Sequence, residues 1–186
     1  MNRRQLFALL GTSALAPAAA SGAGSRPAPD ETPVVLPALS PRSEDWLNSR
    51  PLTPEAPAGR VVLLEFWTFG CSNCLATLPW MKSAYARHAS QGLVVIAAHA
   101  PEFDSERDPG AVARAVRRLG IEYPVLLDPQ STVWNALGNR YWPAFHLFDA
   151  RGRRVTTAIG ELHPGTTRAA SFEAEIQGAL ARASSG

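Results

Sequence analysis

Both cysteines of this 186-residue chain lie in the stretch EFWTFGCSNC, Glu65–Cys74, three residues apart. Two thiols at that spacing can serve as a structural staple, half of a metal site, or a redox couple. The apolar run VVLLEFW, Val61–Trp67, predicts a buried strand, with a helix beginning at the cysteines. Cys71 then stands at the helix start, among backbone N–H groups without intrahelical partners and at the positive end of the dipole. That environment favours thiolate, the nucleophilic form. Cys74 falls on the stripe Cys74, Leu78, Met81, Tyr85, spaced to face a sheet, which suits a buried resolving thiol. Residues three apart on a helix share a face, with β-carbons about 5–6 Å apart. Adjustment of the first turn brings such a pair within disulfide reach. The chemistry follows: Cys71 attacks a substrate disulfide, and Cys74 displaces the mixed disulfide.

As a staple the pair closes a tiny loop, and loop-closure stabilisation grows with loop size. As a zinc site it lacks a second pair, and His88, His99, His146 and His163 show no ligand spacing. Two inert core cysteines would not need a helix start. The expectation is therefore a redox-active Cys71–Cys74 pair, with no metal and no separate cofactor.

The elements that position this pair can be read outward from it. LVVIAAHA, Leu93–Ala100, is a second buried strand, followed by the polar loop PEFDSERDP. A helix then starts with Asp108 as N-cap and Pro109 at its first position, with Val112, Val116 and Leu119 on one face. PVLLD, 124–128, is a short strand, and STVWNALG a helical turn or two ended by Gly138. AFHLFD and RRVTTAIG form a hairpin around ARG, and a last helix over about 167–183 buries Phe172, Ile176 and Leu180. This order predicts an α/β fold: a central mixed sheet flanked by helices on both faces.

Nearly half the residues, 46%, are hydrophobic and 18% are charged, so the chain has the material for one well-packed domain and is not a disordered or solenoid sequence. A net charge of +2 without a basic stripe argues against nucleic-acid binding. Residues 1–23 have the layout of an export signal: Arg3 and Arg4, an apolar run over 6–15, then small residues. The run is too short for a stable membrane span. The paired arginines before Gln5, Leu6 and Phe7 suit the twin-arginine route, and a Sec signal stays open. Residues 24–41, rich in Pro, Ala and Ser, read as a linker, and residues 42–186 as the domain. An exported, periplasmic setting lets a disulfide persist.

The segment FWTFGCSNCLATLPWMK resembles the active-site segment of thioredoxin-fold proteins, and more narrowly the exported TlpA/ResA-like redoxins and the soluble domain of DipZ-type proteins. The similarity runs from about Trp46 to Gly160 and includes GLVVIAAHAPEF and GNRYWPAFHLFDARGR. It implies a thioredoxin-like fold and thiol–disulfide exchange. Glu65 matches the buried acid beneath the cysteines, a carboxyl of raised pKa able to accept the Cys74 proton. Pro79 matches the proline that bends the active-site helix. Pro143 matches a cis-proline facing the cysteines, which makes the backbone of Trp142 available to an extended substrate segment. The Trp142 indole either shields the sulfurs or is a core aromatic. His99 and Glu102, at the end of the second strand, are candidate modulators of Cys71. Gly70 stands where thioredoxins usually have Trp, and Ser72–Asn73 departs from the usual dipeptide. Both departures bear on redox potential.

The resemblance implies an oxidoreductase acting on protein thiols and disulfides, in the reducing direction, as in cytochrome c maturation. A CcdA- or DsbD-like membrane carrier would recharge it in trans. Three alternatives remain: a thiol oxidase or isomerase of periplasmic clients, a peroxiredoxin-like thiol peroxidase, and a redoxin-fold binding module without catalysis. The peroxidase reading rests on the T-x-x-C pattern of Thr68 and Cys71, although Leu64 stands where the peroxiredoxin signature expects proline.

Overall fold

The computed structural model describes residues 33–52 and 59–185. The expected export signal lies outside the described residues, as does the expected linker up to residue 32. Its last part, 33–41, belongs to the compact unit that starts at Pro33. There Leu36 N–H donates to the Gly152 carbonyl, and Leu39 is buried. A two-residue strand, β1 (Trp46–Leu47), follows.

The chain then forms β2 (Val61–Trp67), α1 (Ser72–His88), β3 (Leu93–His99), α2 (Pro109–Leu119), β4 (Val125–Leu127) and α3 (Thr132–Ala136). β5 (Ala144–Phe148), β6 (Arg154–Ile159) and α4 (Thr167–Ser184) complete it. Among the described residues, six strands make one mixed sheet in the order β1-β4-β3-β2-β5-β6. β2, β3 and β4 run parallel, and β1, β5 and β6 pair antiparallel. β2 and β3 are buried along their whole length, as parallel strands covered on both faces must be.

Side-chain alternation along β2 divides the interior. Val61, Leu63 and Trp67 meet Leu78 and Met81 of α1, Val112 and Val116 of α2, and Phe172 and Ile176 of α4. Val62, Leu64 and Phe66 pack on the opposite face with Leu39, Trp46, and Val133 and Leu137. Glu65 shares the parity of Leu63 and Trp67, so it enters the interior on the α1 face. β2 positions the cysteine turn, which leaves its end.

Local signals set the boundaries. Asp108 caps α2 by accepting from the N–H groups of Gly110 and Ala111, both at 3.0 Å. Gly120 closes that helix at φ 59°, a left-handed conformation in which a side chain would be strained. Thr166 caps α4 through the N–H of Ala169. Pro79 lies inside α1, on its exposed side.

Candidate active site

The end of β2 turns through Thr68, Phe69 and Gly70 into α1. Cys71 is the N-cap of that helix, in an extended conformation, and its Sγ accepts the N–H of Cys74 at 3.2 Å. The thiol thus takes the place an Asp or Ser oxygen holds in ordinary caps. Both cysteines are free; Cys71 is half-buried, and Cys74 is 1% exposed. Burial raises the Cys74 thiol, reinforced by its hydrogen bond to Cys71 and by the charges of Cys71 and Glu65. This is a resolving thiol that needs help to lose its proton.

Glu65 is positioned to give that help. It is 1% exposed, and neither carboxyl oxygen has a hydrogen-bond partner among the described residues. Burial pushes its pKa from 4.5 to about 8. A buried carboxyl without donors favours its neutral form. Its charge acts on Cys74 and on Tyr123, whose thiol and phenol are both raised. Glu65 therefore holds or takes up a proton in the range where thiol chemistry runs.

The Trp142–Pro143 bond is cis. Trp142 is half-buried, its indole N–H donating to the Ala100 carbonyl at 3.0 Å while its ring packs tilted by 33° against Trp134, centroids 4.2 Å apart. Of the two readings of this indole, the structure supports packing: both ring face and N–H are engaged within the protein. Trp134 is itself placed by Asp128, whose carboxylate accepts the N–H groups of Thr132, Val133 and Trp134.

His99 and Glu102 fare differently. His99 is buried, stacks on Phe69 and has Nε2 3.2 Å from the Thr68 hydroxyl. Burial pushes its pKa down to about 4, against the pull of the nearby Glu106 charge. It is a neutral imidazole supporting the cysteine turn. The Glu102 side chain is exposed, and only its backbone N–H enters the site.

The carboxylate that does enter is Glu106, from the polar loop after β3. It is 2% exposed and accepts the N–H of Gly70 at 3.0 Å, of Glu102 at 2.7 Å and of Phe103 at 3.1 Å. Burial pushes its pKa up. The N–H groups of Phe103, Glu102 and Gly70, with the Thr68 hydroxyl, outweigh this and hold it below its ordinary value. The Phe103 bond ties Glu106 back to the residue before the 3-10 turn Asp104–Glu106, and because Phe103 has no side-chain acceptor the sequence carries no capping signature there. Among the described residues no cluster of three His, Cys, Asp or Glu side chains is arranged to hold a metal.

Comparison with known proteins agrees with this architecture. The profile of the AhpC/TSA family matches residues 47–155. Protein DipZ of Mycobacterium tuberculosis is 41% identical over 119 residues, which cover 62% of this chain. The match spans 17% of that relative's length, about a sixth of it. Thiol-disulfide oxidoreductase YkuV of Bacillus subtilis is 27% identical, covering 58% of this chain and 72% of YkuV. A crystal structure from Chlorobium tepidum, assigned as a thiol:disulfide interchange protein DsbE, superposes with a TM-score of 0.60 at 25% identity, covering 68% of this chain and 84% of that one. The mixed sheet and its helices are accordingly the thioredoxin-like fold. With a profile match over more than half its length and the expected strand–turn–helix around Cys71, the chain belongs to the AhpC/TSA family.

Proposed function

We propose that the protein is a thiol-disulfide oxidoreductase in which Cys71 and Cys74 form the redox couple. One observation carries this reading: a half-buried thiol caps α1 while a buried second thiol lies one turn in, on the face shared with an unpartnered carboxyl. In the reducing direction the Cys71 thiolate attacks one sulfur of a substrate disulfide. A mixed disulfide forms, and the first substrate thiolate leaves. Glu65 in its ionised form, the minor one at neutral pH and the growing one as pH approaches about 8, takes the Cys74 proton, and Cys74 attacks Cys71 Sγ. The second substrate thiolate departs, the substrate has gained two electrons, and Cys71–Cys74 is oxidised.

The same proposal extends to the setting. The layout of residues 1–23 supports export, by the twin-arginine or the Sec route, into the periplasm. The clients would be protein disulfides, with the reducing role of cytochrome c maturation as the leading case. A CcdA- or DsbD-like membrane protein would return electrons to Cys71–Cys74. The reducing direction rests on the resemblance to TlpA/ResA-like redoxins; Glu65 takes the Cys74 proton in that direction and returns it in the reverse one.

The test is reduction of a protein disulfide such as insulin by prereduced protein. The expected result is stoichiometric reduction, abolished in Cys71→Ser and arrested as a trapped mixed disulfide in Cys74→Ser. Full activity of Cys71→Ser, or consumption of hydrogen peroxide without disulfide reduction, overturns the proposal.

A further inference from the structure

The cysteine turn brings no charge of its own. From Phe66 to Met81 the sequence has no Asp, Glu, Lys or Arg. Its nearest fixed charge arrives from elsewhere in the chain: Glu106, 36 residues beyond Gly70, with Oε1 3.0 Å from the Gly70 N–H. Gly70 precedes the nucleophile directly. A β-carbon on residue 70 would stand 2.2 Å from Glu106 Oε1 and 3.4 Å from its carboxyl carbon. The carboxylate therefore occupies the place of the missing side chain. The demand on Gly70 is for space; its φ is not among the positive ones.

Resting on the exchange chemistry proposed above, we infer that Glu106 sets the charge preference of the site, favouring disulfides flanked by cationic groups and disfavouring anionic ones. Three backbone donors from two segments fix the carboxylate, so its charge cannot swing away from an approaching substrate. At 2% exposure it is poorly screened by water and salt. Among the described residues, other groups nearby do not cancel it. His99 is neutral above about pH 4. Arg107 is held by Asp104 and the Pro129 carbonyl. Glu102, Arg140 and Lys82 are exposed to solvent. Glu65 carries a proton at neutral pH. A fixed charge beside a reacting centre steers charged partners and acts on the transition state by the same sign rule.

The chemistry is the two-electron exchange already written: the prereduced dithiol reduces R–S–S–R to two R–SH and becomes the Cys71–Cys74 disulfide, the two cysteine protons ending on the products. Three disulfides of similar length serve as probes: cystamine (two ammonium groups), bis(2-hydroxyethyl) disulfide (neutral) and 3,3′-dithiodipropionate (two carboxylates). Single-turnover rates are measured with each at pH 7 and low salt. In Glu106→Gln the cystamine rate falls and the dithiodipropionate rate rises, changing their ratio about tenfold, while the neutral probe changes little. Glu106→Asp keeps the cationic preference. An unchanged ratio in Glu106→Gln, or an equal fall with all three probes, overturns the inference and leaves the exchange reading intact. If wild-type protein reacts with none of them, the exchange reading itself falls. Should Glu106→Gln fail to fold, Glu106→Asn, neutral and still carrying an acceptor oxygen, replaces it with the same expected and overturning ratios.

Discussion

Glu65 and Glu106 lie beneath the same cysteine turn and are almost equally buried, at 1% and 2% exposure, yet they are opposite in character. Glu65 projects from the middle of a strand whose N–H and C=O groups are used in pairing with β3 and β5. No donor is left to meet it, so burial alone decides and the carboxyl is raised to about 8. Glu106 sits in a loop, where backbone N–H groups are free to converge, and it takes three of them. Depth therefore does not determine a buried acid's charge; the supply of donors does. One carboxyl is available to move a proton, and the other is a permanent anion that holds two segments together.

The largest consequence of this contrast is in pH-dependent stability. Glu65 has a folded pKa above its ordinary 4.5, so its contribution is complete below 4.5 and is lost as pH rises through about 8. The loss is on the order of 4 kcal/mol across that window. Urea unfolding of wild type and Glu65→Gln at pH 4.5 and pH 8 isolates it. Wild type should lose several kcal/mol relative to the variant, and a parallel pair of curves would mean that Glu65 is solvated. The comparison between variants matters because His99 and His146, both held near 4, contribute the opposite slope below their ordinary range, between about pH 4 and 6.5.

Next in size is the loss of the anion. Glu106→Ala leaves the N–H groups of Gly70, Glu102 and Phe103 without their acceptor and should cost about 3 kcal/mol in denaturant unfolding. Unlike the Glu65 effect, this cost should be flat from pH 6 to 8, because Glu106 is already ionised there. The smallest effect comes from Gly70→Ala. Its β-carbon meets the far end of a side chain that can shift only by giving up hydrogen bonds, so about 1–2 kcal/mol is expected. Combined with Glu106→Ala, the Gly70→Ala change should add almost nothing, since the obstacle is gone.

Much of the scaffold was legible in the sequence. The unbroken apolar run of β2, the stripe on α1 and the Asp108–Pro109 helix start are local patterns, and local patterns specify elements. The positions of Cys71 and Cys74 followed from that strand–turn–helix, and the role of Glu65 from the resemblance to thioredoxin-fold proteins. Three features were not legible, each because it depends on a contact between distant residues. β1 has two residues, too few for any periodicity, and exists through pairing with β4. Residues 33–41 look like linker by composition, yet Leu39 finds an apolar face to cover. Glu106 is an ordinary loop acid until the fold brings Gly70 to it, and Gly70 itself looked like a departure from pattern until its neighbour was seen. The carboxylate that reaches the turn is Glu106 and not Glu102 for the same reason: the N–H groups of 102 and 103 face inward and are met by the side chain of Glu106.

The packing of Trp142 against Trp134 gives the cis-proline loop an optical signature of its own. Two indoles with centroids 4.2 Å apart share their electronic excitations, and such coupling imprints a paired positive and negative band on the far-ultraviolet circular dichroism. Because one ring belongs to α3 and the other to the residue before Pro143, the band's intensity reports the separation of these two segments. A client that displaces the loop would announce itself without any attached label.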